Sequence, residues 1–242
     1  MAWAGAPIAV RNTQRTVRVC EKTLKFQVNL LRKFLGVEDY ALGLWLATNQ
    51  EIKELNLQYR GKSKVTDVLS FPLNKVRPGE LPPRDFGMGF LPKVRSEDTP
   101  PVPHPELGDV VLGMPYIKRY CVKNEVLMEQ HTPLLIAHGL CHLLGYDHET
   151  DEEHMVMQAK EDEVLVNFWV ELALHAERMK LAPEESVCFP DELPAKQAEL
   201  EACFEQGEVD IQLLEELEAV EREQKKQRKH STKPSKGRAV SS

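Results

Sequence analysis

At 242 residues, 42% hydrophobic and 29% charged, the chain is long enough to bury a full core and is ordinary in composition for a soluble globular protein. No apolar run reaches the ~20 residues that span a bilayer, and five scattered cysteines without a Cys-x-x-Cys pair favour reduced thiols in an intracellular compartment over a disulfide framework. The net charge of −7 is uneven, about +4 over residues 1–147, −18 over 148–221 and +7 over 222–242. A mildly basic first part is compatible with a polyanionic substrate.

Residues 1–20 are poor in acid and carry Arg11, Arg15 and Arg18, a composition that would suit an organelle-targeting segment. Ile8–Asn12 and Thr16–Val19 nevertheless fit two strand segments around an Asn-Thr-Gln turn. Leu24, Val28, Leu31 and Leu35 recur at helical spacing over Glu21–Leu35, with Gly36 as the stop. The nearly unbroken apolar run Ala41–Ala47 suits a strand covered on both faces. Asn49 is read as the N-cap of a helix reaching Tyr59. After Gly61, Thr66–Pro72 predicts a short strand that Pro72 closes.

Residues 74–106, rich in proline, predict a long loop containing a solvated His104. A strand over Leu107–Leu112 and a helix over Pro115–Lys123 follow. Thr132 as N-cap and Pro133 at the first helical position start the next helix, which is almost wholly apolar from Leu134 to Leu144 and therefore buried. Glu149–Lys180 predicts a helix, acidic at its start, where carboxylates meet the positive end of the dipole. Asp210–Gln227 is helical in composition, and the Lys-, Ser-, Gly- and Pro-rich end after it predicts disorder.

The chemistry lies in His138-Gly139-Leu140-Cys141-His142-Leu143-Leu144-Gly145-Tyr146-Asp147-His148. His138 and His142, four residues apart, project from one helix face, and Gly145 ends the helix so that His148 can return toward them. Three neutral imidazoles without a fourth protein ligand in the motif describe an open divalent-metal site, with zinc as the expected ion. Cys141 reads as a buried apolar residue, and Asp147 as a group that orients an imidazole or caps the turn.

Three segments together resemble the YbeY family: Tyr59–Pro72, Leu107-Gly108-Asp109-Val110 and His138–His148. The resemblance covers about residues 8–170. It implies an α+β fold: a small mixed β-sheet of about four strands packed with helices, with a zincin-like histidine-bearing helix. It also implies a metal-dependent endoribonuclease acting in ribosomal RNA maturation, with His138, His142 and His148 binding one Zn2+ and the family's functional arginine falling on Arg60. RNA, as ribosomal RNA or its precursor, and a small-subunit ribosomal protein are the implied partners, without a membrane. A mitochondrial location is expected, with chloroplast or cytoplasm as alternatives. The domain is expected over 1–180, with an insertion at 74–106 and a helical then disordered extension over 181–242. Its shorter members lack that insertion and extension.

The residue chemistry agrees with that resemblance. Arg60 shares a basic turn with Lys62 and Lys64, and a guanidinium can grip two phosphate oxygens at once. With the resemblance, His138 and Arg60 are the expected catalytic residues, with Arg60, Lys62 and Lys64 binding substrate; on residue chemistry alone, a surface salt bridge is an equal reading of Arg60. The histidine spacing also matches the metzincin peptidases, but these place a Glu after the first histidine as general base, where this chain has Gly139. A third reading is a non-catalytic ribosome-assembly module whose metal holds the fold together.

Overall fold

The computed structural model describes residues 5–84, 104–179 and 188–190. The chain divides into units Met1–Leu193 and Pro194–Ser242, and the described residues all belong to the first. The elements run β1 (Ile8–Asn12), α1 (Glu21–Phe34), β2 (Ala41–Ala47), α2 (Asn49–Arg60), β3 (Val68–Pro72), β4 (Glu106–Gly113), α3 (Met114–Lys123), α4 (Met128–Leu143) and α5 (Asp151–Met179). Much of the 74–106 insertion, the Asp210–Gln227 segment and the basic end lie outside the described residues.

One mixed sheet of order β1-β2-β4-β3 organises these elements, an α+β arrangement. β1 and β4 both pair parallel with β2, and β3 pairs antiparallel with β4 as an edge strand. β2 and β4, inside the sheet, are covered on both faces: β2 is an apolar run, and β4 is buried throughout, Glu106 and Asp109 included. Alternate side chains sort into two clusters. Leu42, Leu44, Leu46, Val110 and Leu112 face the main core with residues of α1, α3, α4 and α5. Trp45, Ala47, Leu69 and Val111 face the opposite side, where Ile52 and Leu55 of α2 pack. Each fully buried Leu or Val contributes about 1.5–3 kcal/mol relative to exposure.

Three expectations are corrected. The segment Thr16–Val19 is not a strand: β1 pairs in parallel with β2, and the Gln14 side chain instead closes a local turn on the Val17 backbone, at 2.9 Å to both its N–H and its carbonyl. The cap of α2 is Thr48, one residue earlier than expected, in a reciprocal capping box with Glu51. Most consequential for the site, α4 begins at Met128 rather than after Thr132, so Pro133 lies inside the helix. It offers no N–H to the carbonyl four residues back, and the Thr132 hydroxyl is buried without a hydrogen-bond partner. Tertiary packing of Met128, Leu135, Ile136 and Leu140 outweighs that local cost.

Candidate metal centre

α4 is packed on every side but one. From Thr132 to Leu144 only Leu134, His138 and His142 escape burial, and His131 just before them is half-buried. These four stand at spacings of three, four and four residues, one stripe of the helix surface. The closest approach of α4 to the sheet explains which side is covered. A Cβ on Gly139 would lie 3.0 Å from a Val110 methyl and 3.2 Å from Ser70 Oγ, so the residue after the first histidine faces β4 and β3.

The chain reverses after Leu143 through Gly145, which has φ +80 and sits so close to the insertion that a Cβ would lie 2.1 Å from the Val76 carbonyl oxygen. Only glycine meets both conditions. Asp147 caps the turn by accepting from the His148 N–H at 2.9 Å. Thr150 and Glu153 then form a capping box that starts α5, which runs back along α4. The reversal returns His148, so one nitrogen from each of His138, His142 and His148 lies within 4.8 Å of the others, a group that could hold a metal ion.

The hydrogen bonds fix which nitrogens face inward. His138 Nδ1 lies 2.8 Å from Glu161 Oε1 of α5, and His142 Nδ1 lies 3.0 Å from the Tyr146 carbonyl. A carboxylate and a carbonyl only accept, so each Nδ1 carries a proton, and in the neutral ring each Nε2 presents a lone pair. Those two Nε2 atoms are 3.1 Å apart. In two neutral rings, facing lone pairs at that distance repel unless a cation lies against both. Two nitrogens bound tetrahedrally at ~2.0–2.1 Å would be about 3.3 Å apart, so the spacing fits a zinc-sized ion. Burial, then the neighbouring His138, pushes the His142 pKa below its usual value, which favours the neutral ligand form.

Cys141 is fully buried in the main core, and burial with Glu161 nearby pushes its thiol up to about 12. It remains a protonated, apolar packing residue. Arg60, Lys62 and Lys64 are exposed at and just beyond the end of α2, on the sheet face opposite α4. The turn that carries them leads into β3, the edge strand that packs beside α4. The structure thus draws the three histidines together and places the basic turn at the sheet edge.

Glu161 was not anticipated from sequence. A signal existed: Met157, Glu161, Val164 and Phe168 share one face of α5, and the other three are buried apolar residues. A carboxylate at an inward position, with its side chain only 15% exposed, calls for a partner.

The family described as Endoribonuclease YbeY matches residues 8–169. A Homo sapiens protein named Endoribonuclease YbeY is 35% identical over 159 residues, 65% of this chain and 86% of that one. One of the same name from Desulforamulus reducens is 35% identical over 65% of this chain and 94% of its own length. The solution structure of TM1509 from Thermotoga maritima aligns with 73% of this chain and 97% of its own at 22% identity and a TM-score of 0.44. With the match spanning both sheet faces and all three converging histidines, the chain belongs to the YbeY endoribonuclease family.

Proposed function

We propose that this protein is a zinc-dependent endoribonuclease that hydrolyses phosphodiester bonds in RNA, acting in ribosomal RNA maturation and ribosome assembly within mitochondria. The observation that carries the reading is the pair of Nε2 atoms 3.1 Å apart, joined by His148, in a family whose members are named endoribonucleases. A cation held there supplies Lewis acidity and lowers the pKa of bound water toward ~7. Glu161 and the Tyr146 carbonyl hold two imidazoles in the tautomer that binds it. Arg60 is the proposed phosphate clamp, its guanidinium stabilising charge that accumulates on the non-bridging oxygens, with Lys62 and Lys64 guiding the strand. Support for these three is their exposure, their joint positive charge and the family resemblance. The ribosomal partners and mitochondrial address rest on that resemblance and on the acid-poor first twenty residues.

The peptidase alternative loses its footing at Gly139. Position 139 is pressed against Val110 and Ser70, so a glutamate there would be driven into the sheet rather than toward the metal cluster. A purified-protein assay on a defined single-stranded RNA tests the nuclease reading. His138→Ala should abolish cleavage with loss of metal, and Arg60→Glu should abolish cleavage with metal retained. Wild-type cleavage by Arg60→Glu would remove the clamp role. Zinc content by elemental analysis, and fluorescence microscopy of the tagged full chain, test the ion and the address.

A further inference from the structure

The open stripe of α4 does not stop at the metal cluster. His131 lies seven residues before His138 on the same face, about 10 Å along the axis at ~1.5 Å per residue. Between them Leu134 is 40% exposed. At the far end the ring of Tyr120, from α3, lies parallel to that of His131, with centroids 4.6 Å apart and 20° between planes. Tyr120 is 44% exposed even though one ring face is covered by the histidine. Burial keeps the His131 pKa below its usual value against the pull of Asp67, so the lower ring is neutral at neutral pH. Arg119 and Lys123, both exposed, flank Tyr120 on α3.

We propose that the Tyr120–His131 pair is a stacking subsite for an unpaired nucleobase of the RNA strand whose backbone lies at the three-histidine cluster. The proposal rests on the endoribonuclease reading. A large exposed aromatic ring, braced from below and bordered by cations, is the arrangement that binds single strands without regard to sequence, since every base offers a π-face. A paired base would keep its faces within the duplex, so the subsite selects single-stranded segments. The stripe from Tyr120 to His138 joins it to the cluster over a length that a strand crosses in a few nucleotides.

The test uses the metal-loaded full chain and short single-stranded RNAs in which 2-aminopurine, or an abasic nucleotide, is moved along the strand. Wild type and Tyr120→Phe should quench the probe base at one register. Tyr120→Ala should lose that quenching and bind about 5–150-fold more weakly. An abasic nucleotide at the same register should weaken wild type without weakening Tyr120→Ala further. Equal affinity and quenching in wild type and Tyr120→Ala overturns the subsite. If Tyr120→Ala does not fold, the abasic series on wild type and Tyr120→Phe decides, and a profile without one sensitive register overturns it. RNA cleavage with a flat profile leaves the nuclease reading standing, whereas a wild type that neither binds nor cleaves RNA overturns both.

Discussion

Glu161 holds His138 from behind, and its contribution is separable from that of the three clustered histidines. Glu161→Gln keeps the shape but removes the carboxylate that fixes the Nδ1–H tautomer. Partners of this kind are worth about 10–100-fold in metal affinity. Competition with a chromophoric chelator should show that loss, with the thermal unfolding midpoint of the apo protein little changed. An unaltered affinity would make Glu161 a packing residue. His142 and His131 act on stability through protonation. Both have pKa values lowered by burial, so the unfolded chain takes up protons first as pH falls. Stability of the metal-free protein should therefore be full above about pH 6.5, the ordinary histidine value, and decline below it in a denaturant titration series. The convergence of the three histidines was legible because their spacing is short and lies on one helix and its following turn. Glu161 is 23 residues from its partner, and nothing local marks a contact made by packing one helix against another. Tyr120 and His131 meet in the same way, across α3 and α4.

At the scale of elements, the strands and most helices follow from apolar runs and periodicity, and the exceptions share a cause. Thr132-Pro133 has the local chemistry of a helix start, yet α4 runs through it because one more turn buries Met128. Thr16–Val19 has strand composition, but Gln14 closes a turn on the Val17 backbone and no strand lies beside the segment among the described residues. Position within the fold decides both, and composition alone does not carry it. The turn at Gly145 is the element on which the return of His148 depends. Gly145→Ala would place a methyl against the Val76 carbonyl in a backbone conformation that costs an L-residue roughly 1–2 kcal/mol before any clash. A clearly lowered thermal midpoint and weakened metal binding are expected together. An alanine variant with wild-type melting and metal affinity would show that the turn tolerates a side chain.

Over the whole described molecule, the sheet separates two tasks. Its main-core face carries α4 with the histidines, and the other face carries α2, which ends at the basic turn beside edge strand β3. Residues 188–190 return to the main core, where Cys188 and Phe189 are buried and their N–H groups donate to Glu129 at 2.7 and 3.2 Å. Nothing in the sequence around them announced this, because a buried Cys-Phe pair beyond a long helix has no period to betray it. Phe189→Ala should cost about 3–5 kcal/mol in denaturant unfolding, and a change below about 1 kcal/mol would place the segment outside the cooperative unit.

The central claim is that the three histidines hold the ion on which RNA cleavage depends. Cleavage of one defined single-stranded RNA should be followed as metal is stripped from the purified chain and then restored, with circular dichroism recorded at each step. The account predicts that cleavage disappears while the fold signal persists, and that it returns with one equivalent of zinc. Undiminished cleavage by the metal-free protein would contradict it.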